Sequence, residues 1–280
     1  MDKIIPIEEF SKIFFGWQTK IEKEGEEKGT GSGGDFRRVF KETVKEIIGS
    51  PLFQNHSLIQ KLEKEADDFL QDFREIEMQD LVYKDAEEGS RLLCKEADHI
   101  VIFTTGDKDY QPRKIQKSGI IDLFQSAIKN SGKNVSLEFL FSENKKSEIP
   151  KIIEKIPGKL LIAIYDDNPE KFKFAEKYIR ELEEKIGIIF KKLYVWAKRG
   201  RIGQNTTKQK LEQIRKENPE FEIAQNLEEY VDLIVSRKSD NTIVIALLDF
   251  DGALADNIGL RERQASVAYK HFMKFLEVLR

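Results

Sequence analysis

The chain has 280 residues, 40% hydrophobic and 35% charged, which suits one large domain or a core with a smaller lid beneath highly charged helix surfaces. Its net charge of −3 excludes a global basic field of the kind that holds nucleic acid through its phosphates. The single cysteine, Cys94, excludes an internal disulfide framework, and no apolar run approaches the roughly 20 residues needed to span a bilayer.

The N-terminus, MDKIIPIEEF, is acidic and mixed, unlike a signal peptide, so a cytoplasmic protein is expected. Residues 1–24 predict a helix, because Ile4, Ile7, Phe10, Ile13, Phe14 and Trp17 recur at helical spacing. The glycine-rich stretch at 28–34 predicts a flexible loop. It lacks the preceding strand and the GK[ST] that a phosphate-cradling loop needs. Asp35 is placed to cap a helix reaching Ile48, which Ser50-Pro51 breaks. A third helix runs from Ser57 to Phe73 with Leu58, Leu62, Ala66, Phe69 and Leu70 on one face, and a fourth from Asp85 to Ala97. Cys94 in that fourth helix, next to Leu92 and Leu93, reads as a buried thiol. No segment before residue 98 has strand period, so the first third is expected to be a helical layer.

From Asp98 the texture changes. Strand-like runs at 99–103, 135–141, 160–165, 188–195 and 243–248 alternate with helices at about 108–131, 147–155, 168–185, 207–217 and 226–235. After Asp256 a last helix carries Ala265, Ala268, Phe272, Phe275 and Leu279. This order predicts an α/β fold, a doubly wound parallel (Rossmann-like) sheet.

Four signals fall at the carboxyl ends of those strands, the edge where open α/β sheets bind ligands. Thr104-Thr105-Gly106-Asp107 offers hydroxyls and backbone N–H groups to a phosphoryl oxygen; a plain helix-capping turn is the alternative. Lys145-Lys146, before a helix, can neutralise a carboxylate and a phosphate together, or simply face solvent. Asp166-Asp167-Asn168-Pro169 offers hard oxygen ligands to Mg²⁺, or caps the helix that follows. Last comes Thr242-Ile-Val-Ile-Ala-Leu-Leu-Asp249-Phe250-Asp251-Gly252. Its apolar, β-branched run reads as a strand buried on both faces, ending in two acids and a glycine that permits a turn. Acids so close repel unless a cation lies between them or one keeps a proton. A solvated acidic turn is the bland reading. The cluster Lys198-Arg199-Gly200-Arg201 reads as a solvated loop, and His56, His99 and His271 show no metal-ligand spacing, which argues against a zinc hydrolase.

The stretch Leu247-Leu-Asp249-Phe-Asp251-Gly252-Ala253-Leu254 resembles motif I (hhhDxDGT) of the haloacid dehalogenase-like superfamily, with Ala253 where the family usually has Thr. Thr104 resembles its motif II Thr, Lys146 its motif III Lys with Lys145 in reserve, and Asp166-Asp167 its motif IV acid pair. TTGDKDYQPRKIQKSGI also resembles the segment after motif II. The family order is I, II, III, IV, whereas here motif I comes last, so the resemblance implies a circular permutation joined across Ser236–Asn241. It implies a helical cap from residues 1–97 completed by 257–280, and a core from 98–256 whose central strand is 242–249. It further implies a Mg²⁺-dependent phosphohydrolase acting on a small phosphorylated substrate. Asp249 would be the nucleophile and Asp251 the acid and base. Thr104, Thr105 and Lys146 would hold the phosphoryl group. Mg²⁺ would be held by Asp249, Asp251 through its backbone carbonyl, and Asp167 with Asp166. Alternatives are a silent relative acting as a binding or scaffold protein, a homodimer that supplies motif I in trans, and a receiver-like phosphoacceptor.

Overall fold

The computed structural model describes residues 5–27, 35–49, 55–104, 110–141, 145–199, 208–217 and 221–279. Among these, six strands form one sheet: β1 (His99–Thr104), β2 (Ser136–Phe141), β3 (Leu160–Asp166), β4 (Lys191–Ala197), β5 (Glu222–Ala224) and β6 (Ile243–Asp249). Their order is β2-β1-β6-β3-β4-β5, and every pairing is parallel. The fold is therefore α/β and Rossmann-like. Counted with β6 as the first strand, the order becomes 3-2-1-4-5-6, the doubly wound arrangement whose strand order reverses between 1 and 4. Here those strands are β6 and β3.

Alternation along each strand sends side chains to two separate cores. Ile100, Ile102, Ala163, Tyr165, Ala246 and Leu248 face one of them. It is completed by α4 (Ala86–Glu96), α6 (Ile120–Ser131) and α10 (Leu227–Arg237). Val101, Phe103, Ile162, Ile164, Ile245 and Leu247 face the other, under α7 (Lys145–Ile153) and α8 (Glu170–Ile186), and α9 (Lys208–Glu217) follows β4 in the chain. This two-sided burial explains why the strands read as continuous apolar runs. Gly89 shows how closely α4 packs here, since a Cβ on it would lie 2.5 Å from Leu227 Cβ.

Three sequence expectations are corrected. The single helix expected at 108–131 is two, α5 (Tyr110–Ser118) and α6, because Gly119 adopts φ +76° and ends the first. The edge strand β5 was not expected; its three residues are too few to show a period. Residues 1–97 also do not stay together. One compact unit comprises residues 1–77, 106–114 and 259–280, and the other residues 78–105 and 115–258, so α4 belongs with the sheet. Its apolar face of Leu93, Cys94 and Ala97 is covered by that sheet layer. Burial pushes the Cys94 thiol up to about 11, so the thiolate is scarce near neutrality.

The helical unit is built from α1 (Ile7–Glu27), α2 (Phe36–Ile48), α3 (His56–Arg74) and most of α11 (Asn257–Val278). Phe10, Phe14, Phe40, Phe69, Phe73 and Phe272 are fully buried there and pack ring on ring. The aromatic stripe of the first helix is thus core. Asp35 caps α2 by accepting from Arg38 N–H at 2.9 Å. The glycine-rich 28–34 stretch lies outside the described residues.

Asp98 registers the amino-terminal edge of the sheet. Its carboxylate accepts Val244 N–H at 2.8 Å and pairs with Lys133 at 2.8 Å, while its backbone bonds both Val244 and Ser136. Burial pushes this carboxyl up, but Lys133 and the Val244 N–H outweigh it and hold it below its usual value. A carboxylate with a depressed folded-state pKa stabilises above its unfolded pKa, and that contribution is lost as pH falls through the folded value. Asp98→Ala is expected to cost about 1–3 kcal/mol at neutral pH. In chemical denaturation the gap from the parent should narrow below about pH 4.

Candidate functional site

Register sets the site. Asp249 pairs with Phe103 across β6 and β1, and Leu248 pairs with Tyr165 across β6 and β3. Asp249 and Asp166 are therefore level at the carboxyl ends of adjacent strands, with Thr104 closing β1 beside them. This is the point where the strand order reverses, and a crevice is expected there. Phe250 N–H still bonds Phe103 C=O at 3.1 Å, so the ladder persists one residue past Asp249.

The chain then turns tightly. Gly252 N–H donates to Ala255 C=O at 2.8 Å, and Ala255 N–H to Phe250 C=O at 2.9 Å. Gly252 takes φ +81°, and a Cβ there would lie 2.2 Å from Asp167 Oδ2. The glycine thus serves both the turn and the approach of Asp167. The outer side of the turn is stapled to residues 81–83, through Tyr83 N–H to Leu254 C=O at 3.0 Å and Asp256 N–H to Leu81 C=O at 2.7 Å.

Three buried carboxylates, from Asp166, Asp167 and Asp249, place one oxygen each within 4.8 Å of one another. Asp166 also accepts Asn168 N–H at 2.9 Å, which fixes the start of the loop before α8. Asp167 is held from two sides. Asn257 Nδ2 donates to its Oδ2 at 3.2 Å, and Trp196 Nε1 donates to its backbone carbonyl at 3.0 Å. Asp251 accepts from Thr104 Oγ1 at 3.1 Å. Of the residues expected at the site, Asp249, Asp166 and Asp167 converge and Asp251 joins Thr104. Thr105 lies outside the described residues, as do the side chains of Lys145 and Lys146; the backbone of both lies in the first turn of α7.

Two basic residues were missed by the sequence reading. Lys171, in the first turn of α8, places Nζ 3.4 Å from Asp166 Oδ1 and 3.9 Å from Asp249 Oδ2. The only signal for it was its position five residues after an acid-ended strand. Arg199, read as part of a solvated loop, is mostly buried. Its Nη1 contacts both oxygens of Asp85 at 2.7 Å, and its Nη2 donates to Ala253 C=O in the turn after Asp251. Asp85 in turn accepts Leu227 N–H at 2.8 Å, and the guanidinium lies 4.2 Å over the Tyr83 ring. The planar guanidinium reaches the Asp85 carboxylate with one nitrogen and the Ala253 carbonyl with another, which a lysine's single nitrogen does less well. This explains why one member of a basic cluster turns inward.

Oxygen donors from three carboxylates suit a hard cation such as Mg²⁺. Charge fits as well: three buried carboxylates, with the Lys171 ammonium near two of them, carry a negative excess among the described residues that suits a divalent ion. Such a group of buried acids needs compensation of this kind. No helix among the described residues is long and apolar enough to cross a membrane. No family model, curated protein or solved structure matches the chain.

Proposed function

We propose that this chain is a Mg²⁺-dependent phosphohydrolase of the haloacid dehalogenase-like type, with a circularly permuted strand order and a helical cap. The observation that carries the reading is the convergence of Asp249 with Asp166 and Asp167, all buried, at the reversal point of the sheet. The strand order supports the permutation, because a last strand in the place of a first one needs only a join elsewhere. Residues 238–242 make that join a short turn between α10 and β6, with Thr242 N–H bonded to Ser239 C=O at 3.1 Å. Termini that end near each other tolerate such rearrangement.

In this reading an Asp249 oxygen attacks the phosphorus of a small phosphate ester. The P–O bond to the alcohol breaks as the aspartyl-phosphate forms. Asp251 gives the leaving oxygen its proton, then takes one from the water that attacks phosphorus, and Asp249 is released with inorganic phosphate. Thr104 orients Asp251 for both transfers through its 3.1 Å hydrogen bond. A Mg²⁺ held by Asp249, Asp167, Asp166 and the Asp251 carbonyl would supply charge neutralisation for the carboxylates and the phosphate oxygens. Turnover of p-nitrophenyl phosphate is expected with Mg²⁺ and should vanish with chelator, returning when Mg²⁺ is restored. Turnover that ignores chelation would contradict the reading.

One observation favours a second reading, a silent relative that binds without turnover. Ala253 supplies a methyl group, fully buried, where the family motif has a hydroxyl. A protein that binds Mg²⁺ at the three acids yet leaves a broad phosphate-ester panel intact would support it.

A further inference from the structure

Arg199 is seated in a way that stability alone does not explain. Its ion pair with Asp85 is largely buried, the two side chains being 10% and 22% exposed. Its Nε is buried without a hydrogen-bond partner among the described residues. Buried pairs and orphaned N–H groups are poor sources of stability, so the arrangement asks for a reason of position. Nη2 supplies one, because it donates to the carbonyl of Ala253, two residues after Asp251. Between them stands Gly252 at φ +81°, a residue that leaves the backbone free to pivot. Upstream of that pivot, Phe250 N–H fixes the chain to Phe103 C=O at 3.1 Å. Downstream, Arg199 holds the Ala253 carbonyl, and Asp85 ties Arg199 to the start of α10 through Leu227 N–H at 2.8 Å.

We infer that Arg199 is a positioning residue for Asp251: through the Ala253 carbonyl it fixes the turn that carries the acid and base of the proposed reaction. This rests on the phosphohydrolase reading and adds the side chain that sets where its proton donor stands. A general acid works only within hydrogen-bond reach of the leaving oxygen, about 2.6–3.2 Å. Thr104 aims the Asp251 carboxylate from the end of β1. Arg199, just past β4, steadies the backbone beneath it. Tyr83 braces the same turn twice, since its ring lies under the guanidinium at 4.2 Å and its N–H donates to Leu254 C=O at 3.0 Å. A lysine at this position would keep the charge facing Asp85 but not the second nitrogen that reaches Ala253.

Two esters that differ in their leaving oxygen test this. p-Nitrophenolate departs without a proton, whereas the more basic oxygen of phenyl phosphate depends on the general acid. The value of kcat/KM reports formation of the aspartyl-phosphate and leaves out its later hydrolysis. In kcat/KM, Arg199→Lys should lose about tenfold on phenyl phosphate and less than about twofold on p-nitrophenyl phosphate. Asp85→Asn, which keeps an acceptor for Leu227 N–H, should show the same selective loss, and it carries the test if the lysine variant does not fold. Equal losses on both esters, as a merely structural role would give, overturn the inference, and so does no loss on either. Amide exchange reads the brace without substrate: Leu254 and Ala255 N–H should exchange faster in Arg199→Lys, and unchanged exchange overturns the inference. A parent that turns over neither ester sinks the phosphohydrolase reading instead, and the exchange result still decides whether Arg199 holds the turn.

Discussion

Asp249→Asn should abolish phosphate-ester turnover while leaving the protein at least as stable in the absence of metal. The two halves of this expectation come from the same geometry. Asparagine offers a far weaker nucleophile, and loss of a group that bonds covalently to substrate lowers kcat by roughly a thousandfold or more. Yet Asp249 is 3% exposed and its carboxylate shares a small volume with those of Asp166 and Asp167. Removing one of three buried like charges relieves repulsion. Lys171 keeps its closer partner, Asp166, at 3.4 Å. Thermal melting in chelator and kcat in Mg²⁺, measured on the same preparation, check both halves. A variant that retains kcat, or one that loses activity only because it unfolds, would contradict the role given to Asp249.

Gly252→Ala is the second large effect, and it is expected to fall on the cation site more than on the fold. An L-residue at φ +81° costs about 1–2 kcal/mol by backbone strain alone. The new methyl group would stand 2.2 Å from Asp167 Oδ2, 2.6 Å from Asp167 Cγ and 2.8 Å from Asn257 Nδ2. These atoms are the ends of short side chains, so they swing aside before the backbone breaks. Asp167 then leaves its hydrogen bond with Asn257 and its place among the three acids. Mn²⁺ affinity should fall about tenfold or more, since a cation site loses one of its carboxylates, while the melting temperature drops only by several degrees. Mn²⁺ binding equal to the parent's would show that Asp167 is not a ligand.

The strands were legible because a doubly covered sheet needs unbroken apolar runs. Leu160–Asp166 and Ile243–Asp249 carry that pattern up to the acids that end them. The acids were legible for the same reason, since a carboxylate directly after a buried strand stands out. What sequence could not show is mostly a matter of partners. The apolar face of α4 would suit a helical layer as well as a sheet, and only the fold puts it under Leu227. Lys171 is one lysine in a chain that is 35% charged, and its value comes from facing Asp166 and Asp249 in space. Arg199, flanked by Lys198 and Gly200, has the composition of a solvent loop. Its burial depends on Asp85, which lies far away in sequence and also caps the backbone at Leu227. Gly119 ended a helix that periodicity alone would have continued, because the apolar spacing resumes at Ile120 on the next helix.

The central claim is that Asp249, Asp166 and Asp167 together hold one divalent cation. A crystal structure grown with Mn²⁺, located by its anomalous scattering, tests this directly. The expected result is a single ion coordinated by carboxylate oxygens of all three residues. An ion held elsewhere, or no ion at the three acids at saturating Mn²⁺, would contradict it.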